Sequence, residues 1–463
     1  MYSKLSQDLD NFDVLLERTR KHAVEALLSL DHRPAALAPR AVTSQALPEH
    51  GVGLEGALAE FVERWVPGFS GSAGPRYLGF VTGGATPASV AGDWLTSVYD
   101  QNPTAGIDSS APDLERETVD RLRQLFGLSE AQRGVLVSGA TMSNLVGLAI
   151  GREWLGEQKN ISISEQGVAA LGPIHILSGA PHSSIYKALS VLGVGRKAVQ
   201  KIATQPDREA IDIGALEAAL HQLRGESVIV VANAGTVNTV DFDDLAALAA
   251  LKQRYPFWLH VDAAFGAFAA LSPQHEALTA GLDEADSICI DLHKWLNVPY
   301  DAAVQFSRRR DLQVRVFQNS SAYLGLPGDN PDFVHLTPEN SRRLRAIPSW
   351  FSLAAYGRAG HAEIVQRNIR VAQQLSERIE GLAGLKLLAP TRLNVVCFTL
   401  AENPTEERVN AYVRAIRDDG EVFITPTVYA GTWGLRAAFC NWRTSESDVA
   451  RILKSLAAGV AGK

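Results

Sequence analysis

Cysteine is scarce in this chain: Cys289, Cys397 and Cys440 are the only three in 463 residues, far apart and without a CxxC pair. That excludes a disulfide-stapled scaffold and a cysteine-built zinc site, no metal is implied, and a reducing cytoplasm is the simplest compartment. Basic runs are as rare, the longest being the arginines at 308–310, and the net charge is -7. A nucleic-acid footprint needs a concentrated positive face, so nucleic acid is not an expected partner. No apolar run reaches the roughly eighteen residues of a membrane span. Asp8, Asp10, Asp13 and Glu17 fall where a secretory leader would be apolar. The expectation is a soluble protein of the cytoplasm with no membrane partner.

Apolar residues make up 46% of the chain and charged ones 21%, enough to build a large core over two or three domains. Leu5, Leu9, Phe12, Leu16, Ala23 and Leu27 recur at helical spacing, the stripe of an amphipathic helix over residues 4–30. That stripe packs either on its own subunit or across a second one. "VPGFSGSAGP" (66–75) then breaks the helical pattern.

Beyond it, apolar runs alternate with helical segments. "GVLVSG" (134–139), "IHILSG" (174–179), "SVIVVANAG" (227–235), "FWLHVDAA" (257–264) and "SICIDLHK" (287–294) are apolar at successive positions. Such runs predict strands covered on both faces, hence an α/β fold with a mostly parallel central sheet. "DREAIDIGALEAALHQLRG" and "DFDDLAALAALKQRY" have the periodicity and acidic first turns of crossover helices. From about 356 the pattern changes to a long helix (359–382), strands near "LNVVCFTL" and "LRAAFCN", and a closing helix from Glu446. The expected division is an N-terminal helical segment at 1–75, a large domain at 76–355 and a small α+β domain at 356–463.

In parallel α/β sheets ligands gather beyond the carboxyl ends of the strands. After the first predicted strand comes "SGATMSNL" (138–145), small residues and hydroxyls opening a helix whose free N–H groups suit an anion such as a phosphate, or an ordinary helix cap. The second strand ends near His182 and the third near Thr236; a structural hydrogen-bonder and plain turn chemistry explain these equally well. The fourth ends in Asp262 and the fifth in Lys294. A desolvated ammonium needs a partner or a chemical use. One reading is a buried Asp262–Lys294 salt bridge, of little net worth after desolvation. The other is pyridoxal phosphate: phosphate on the helix at 140–144, His182 on the ring, Asp262 at the pyridine nitrogen, Lys294 bonded to the aldehyde. One ligand then accounts for four strand ends in order.

"DLHKWLN", "HVDAAFG", "SGATMSNL", "APHSSIYKA" and "AGTVNTVDFDDL" resemble, in order, the motifs of the group II pyridoxal-phosphate-dependent amino acid decarboxylases. So do "RYLGFVTGGATPASVAGDWL" (76–95), "ENSRRLRAIPSWF" (339–351) and "LRAAFCNWRTSESDV" (435–449), so the resemblance spans nearly the whole chain. It implies a fold type I, aspartate-aminotransferase-like large domain, a small C-terminal domain, and a homodimer with shared sites clasped by the N-terminal helix. It also implies cofactor contacts from Ser138, Ala140, Thr141, Asn144, Thr236, Ala264, Asp291 and His293, besides His182, Asp262 and Lys294. The activity implied is loss of carbon dioxide from an L-amino acid, giving an amine.

The chain departs from the family at one place. There, a tyrosine on a mobile loop of the partner subunit, shortly before the paired arginines, is the usual acid that protonates Cα. A gapless match puts Phe333 in that position, and phenylalanine has no proton to give. Either Tyr323, His335 or water supplies the proton, or oxygen intervenes and the product is an aldehyde with ammonia and peroxide. A transaminase would not call for the HKW and HVDAA contexts, and a catalytically silent homologue would be expected to have lost Lys294. Phe80, Val81 and Thr82 fall in the segment that lines the family's substrate pocket, and their apolar character leans to aromatic or hydrophobic substrates. An acidic substrate would want an arginine, such as Arg76 or Arg345, aimed into the pocket.

Overall fold

The structure, a computed structural model, describes residues 1–319, 328 and 330–461. The five apolar runs become strands of one seven-stranded sheet. Its strands are β1 (Arg133–Val137), β2 (Ile174–Ser178), β3 (Val199–Lys201), β4 (Ser227–Asn233), β5 (Trp258–Asp262), β6 (Ser287–Asp291) and β7 (Ala303–Ser307). Their order is β1-β7-β6-β5-β4-β2-β3. All pairs from β6 to β3 are parallel, and only β7 runs against its neighbours β1 and β6. The carboxyl ends of β1, β2, β4, β5 and β6 therefore share one edge. In register, Asn233 pairs with Asp262 and Asp262 with Cys289, which sets the ends of three neighbouring strands level at this edge.

Every residue of β4, β5 and β6 is buried, so apolar side chains can occupy both faces without alternation. Separate apolar clusters cover the two faces, one around Leu259, Phe268 and Trp295, the other around Val146, Ile150 and Trp258. The crossover helices begin where the acidic caps predict: Asp212 accepts from the Ala215 N–H at 2.8 Å and Asp244 from the Ala247 N–H at 2.9 Å.

The C-terminal part carries a second, antiparallel sheet of β8 (Leu385–Leu387), β9 (Val395–Leu400), β10 (Thr425–Tyr429) and β11 (Thr432–Ala438), ordered β10-β11-β9-β8. The expected helix at 359–382 is the later part of an element that begins earlier, Ala346–Glu380, with Gly357 (φ 56°) breaking its helical backbone. Leu78 joins this sheet's neighbourhood from the other end of the chain, its N–H donating to the Phe423 carbonyl at 2.8 Å and its carbonyl accepting from Ala438 at 2.9 Å.

The N-terminal stripe lies on two helices, Ser3–Asp10 and Phe12–Leu28. Leu5, Leu9, Phe12 and Leu16 remain 58, 62, 50 and 48% exposed, so the chain does not cover its own apolar stripe. All three cysteines are buried and unpaired, and among the described residues no helix is long and apolar enough to cross a membrane.

Candidate active site

A cavity of about 460 Å³ opens at the shared carboxyl edge of the sheet. Ser138, Ala140 and Thr141 line it from the start of the Ala140–Glu157 helix, and His182 and Thr236 from the ends of β2 and β4. Asp262 and Ala264 reach it after β5, and Asp291, His293 and Lys294 after β6. The topology thus brings together residues 156 positions apart, from Ser138 to Lys294, because each lies at or within a few residues of the carboxyl end of a strand on this edge.

The ion pair of Lys294 is not with Asp262. Its Nζ lies 3.4 Å from Oδ2 of Asp291, which is also 3.2 Å from Nε2 of His293, and 5.4 Å from the centre of the Phe265 ring. Asp262 is held separately: Oδ2 accepts from Nδ2 of Asn144 at 3.0 Å and Oδ1 from the Ala264 N–H at 3.2 Å. The salt-bridge reading of these two residues gives way to two side chains that line one cavity without an ion pair between them.

His182 caps the Ser183–Val191 helix, its Nδ1 accepting from the Ser184 N–H at 3.3 Å and lying 2.8 Å from the Ser184 hydroxyl. Burial depresses its pKa against the pull of Asp262, and Lys294 and Arg436 push in the same direction as burial. The imidazole is therefore neutral near pH 7. Thr236 lines the cavity, but its hydroxyl donates to Glu209 at 2.5 Å and accepts from the Asp241 N–H at 2.9 Å, so it serves chiefly to shape the turn.

Three expected residues fall elsewhere. Asn144 sits behind the wall with its amide committed to Asp262, Ser184 and His260. Phe80 and Val81 line the cavity while Thr82 does not. Phe80 and Val81 both adopt left-handed backbone (φ 59° and 64°), which turns the chain so that Thr82 faces inward, its hydroxyl buried without a partner. A β-branched residue held this way stores about 1–3 kcal/mol of strain. Phe333 is 3% exposed in the apolar core, capped by the guanidinium groups of Arg342 and Arg116 at 5.0 and 5.4 Å. It does not reach the cavity. His335 is 2% exposed and its Nδ1 accepts from the Asn319 N–H; Tyr323 lies outside the described residues.

The segment after Val81 braces the lysine. A Cβ on Gly83 would stand 1.7 Å from the Lys294 carbonyl oxygen and 2.5 Å from Nδ2 of Asn297, which itself donates to the Gly83 carbonyl at 2.6 Å. No side chain fits there without moving the lysine's backbone. Gly83→Ala is expected to lower the melting temperature by several degrees, as overpacking by about 1–3 kcal/mol does, and to weaken cofactor retention on dialysis. Unchanged melting and retention would show that this contact is not structural.

Sequence reasoning missed Arg436, on β11, which also lines the cavity. Its Nη1 donates to the Val237 carbonyl at 2.9 Å and its Nε is buried without a partner; burial lowers its pKa, opposed by Cys397 and Glu209. An arginine inside a strand motif gives no sign of whether it points to solvent or to a ligand.

The chemistry of the wall fits pyridoxal phosphate. The Ala140–Glu157 helix has no side-chain cap, leaving its first N–H groups for an anion. A carboxylate, a primary amine and a neutral imidazole face the same space, which is the donor set an aldehyde-bearing pyridinium calls for.

Residues 38–401 match the family described as the pyridoxal-dependent decarboxylase conserved domain. The chain is 29% identical over 398 residues to an aromatic-L-amino-acid decarboxylase of Bacillus atrophaeus, a match covering 83% of this chain and 81% of the relative. It is 27% identical over 319 residues to an L-2,4-diaminobutyrate decarboxylase of Acinetobacter baumannii, covering 65% of this chain and 61% of the relative. The Oryza sativa TDC solved with PLP and tryptamine has the same fold, with a TM-score of 0.89 at 20% identity over 98% of both chains. The chain thus belongs to the pyridoxal-dependent decarboxylase family: it is an amino acid decarboxylase of fold type I that uses pyridoxal phosphate.

Proposed function

We propose that the substrate is an aromatic or other hydrophobic L-amino acid and the product its amine. The observation that carries this is the count of cations at the cavity. Among the described residues, Arg436 and Lys294 are the only lysine or arginine side chains lining it. An α-carboxylate needs one such partner, and an acidic side chain would need a second. Arg76 is paired with Asp448 and Glu421, and Arg345 with Asp301 and Glu339; neither lines the cavity. Phe80, Val81 and Phe265 add apolar surface to the wall.

Bound pyridoxal phosphate supplies an electron sink for the pair left on Cα as carbon dioxide departs. In this reading the uncapped helix N–H groups with Ser138 and Thr141 would hold the phosphate, Lys294 would tether the aldehyde carbon, and Asp262 would keep a proton on the ring nitrogen, with neutral His182 beside the ring. Arg436 fixes the carboxylate for departure; because that charge leaves in the transition state, the arginine serves binding more than acceleration. The exposed stripe of Leu5, Leu9, Phe12 and Leu16 supports a homodimer clasped by segment 1–75, with 76–355 carrying the cofactor and 356–463 contributing Arg436. A cytoplasmic home agrees with three unpaired buried cysteines.

Protonation of Cα is assigned to Tyr323. Phe333 and His335 are buried in their own subunit and line no part of its cavity, which argues against Phe333 standing in the acid's place, the premise of the oxidative outcome. The test measures amine, aldehyde, carbon dioxide and oxygen uptake on a panel of amino acids. Aromatic substrates should give amine without oxygen uptake, and Tyr323→Phe should divert product to aldehyde with oxygen consumed. Faster turnover of glutamate or 2,4-diaminobutyrate than of any aromatic substrate would overturn the substrate class. Aldehyde from the unaltered enzyme would overturn the product.

A further inference from the structure

Behind the wall of the cavity lies a chain of buried polar groups, of which Trp258, Ser287, His260 and Asn144 do not line it. It starts at Trp258, whose indole Nε1–H can only donate, here to the Ser287 hydroxyl at 2.9 Å. Ser287 accepts that bond and sends its own hydrogen to Nδ1 of His260 at 2.8 Å. The hydrogen of His260 is then on Nε2, 2.8 Å from Oδ1 of Asn144. That contact decides which way the Asn144 amide faces: oxygen to His260, nitrogen to the cavity side. Nδ2 donates to Oδ2 of Asp262 at 3.0 Å and to the Ser184 hydroxyl at 3.1 Å. Ser184, having accepted, turns its hydrogen to Nδ1 of His182 at 2.8 Å, leaving the hydrogen of His182 on Nε2.

We propose that His260 is a positioning residue for the decarboxylase: through Asn144 it fixes the acceptor face of Asp262 and the tautomer of His182. The inference rests on the roles given above to those two residues. Reversing the chain would put the carbonyl of Asn144 against the carboxylate of Asp262, acceptor against acceptor, and would make Ser287 accept from both Trp258 and His260 with its own hydrogen left without that partner. Trp258, His260, Ser287 and Asn144 are all fully buried, so no water is at hand to repair a reversed bond. A Cβ on Gly147 would stand 2.7 Å from Cε1 and Nδ1 of His260, so the helix clamps the ring against the sheet and prevents a flip. Burial also drives the His260 pKa down to about 4, which keeps it neutral, one hydrogen only, across the physiological range.

A merely structural histidine predicts lost stability and nothing else. The experiment titrates apoenzyme with pyridoxal phosphate, following the absorbance of the bound cofactor and its pH dependence, with melting temperature measured alongside. His260→Phe keeps a ring and removes both polar atoms; its cofactor dissociation constant should rise about tenfold, the scale of one lost buried hydrogen bond, and the absorbance titration should shift. His260→Gln, which can still donate to Asn144, should recover most of the affinity even if it melts as early as His260→Phe. Ser287→Ala removes one oxygen and unlocks the His260 tautomer, so it should move affinity and spectrum the same way; it carries the test if His260→Phe does not fold. Equal losses in the Phe and Gln variants, or changed melting with unchanged affinity and spectrum, overturn the proposal. Asp262→Asn is run in parallel: if it alters the spectrum while the His260 and Ser287 variants match the parent enzyme, the relay alone fails. If it too leaves the spectrum unchanged, the role given to Asp262 falls and takes the relay with it.

Discussion

Lys294→Ala is expected to carry no covalently bound cofactor and to lose at least roughly a thousandfold in kcat/KM, about 4 kcal/mol of transition-state stabilisation. The lysine is the primary amine of the cavity wall, in the short turn of helix Leu292–Trp295 that follows β6 directly, so the sheet aims it and Gly83 braces its backbone. Its ammonium pairs with Asp291, whose side chain is 4% exposed and whose Oδ1 has no partner. Truncation would leave that carboxylate with His293 alone, so some loss of stability must be separated from loss of chemistry. Lys294→Arg does this, because it keeps the positive charge beside Asp291 but has no amine that can deprotonate and bond to an aldehyde. Both variants should melt as folded proteins, and after hydride reduction neither should show the mass of the cofactor added to the chain. A labelled Lys294→Ala protein would place the tether on another residue and dissolve the assignment.

The difference between what was legible in the sequence and what was not follows from how far each signal reaches. Continuous apolar runs such as "SVIVVAN" report burial on both faces, and they become β1, β2, β4, β5 and β6 with the active residues just past their ends. The edge strand β3 is too short to show any pattern, and β7 carries a buried polar residue, Gln305, that interrupts its apolar run. The amphipathic stripe near the N-terminus is real, yet a single chain does not contain what covers it. Thr82 was misplaced because residues with left-handed backbone reverse a chain in a way that side-chain type does not announce, Phe80 and Val81 being unlikely letters for such a turn. Phe333 was matched to the acid's place by aligning across a loop without a gap, which assumes constant loop length. Its apolar ring has a sufficient use in the core, beneath Arg116 and Arg342. Asn144 was expected at the ligand and lies behind the cavity wall hydrogen-bonded to Asp262, a placement only three-dimensional hydrogen bonding reveals.

Asp262→Asn is the second large effect. The carboxylate is 6% exposed and lies at the carboxyl end of β5, where it accepts from Asn144 on one oxygen and from the Ala264 N–H on the other. Both protein contacts are donors, so neither relieves the oxygens of charge, and the natural complement is a proton held on a ring nitrogen across the cavity. Asparagine has nearly the same shape but must turn its own NH2 toward either Asn144 or Ala264, donor against donor, or toward the ring nitrogen. In that last case it offers a hydrogen where a negative charge is needed. Losing one partner of a buried ion pair costs about 3–5 kcal/mol, and if that loss falls on the transition state the rate drops by roughly 10²–10⁴-fold. The discriminating readout is where the loss appears. Asp262→Asn should keep the covalent link at Lys294, visible as added mass after reduction, while kcat falls and KM for the amino acid stays within about threefold. Asp262→Glu, which keeps the charge but lengthens the arm, should recover part of kcat. Equal activity in Asp262→Asn and the parent enzyme would mean that the carboxylate holds the helix at Asn144 and has no part in the electronics of the reaction.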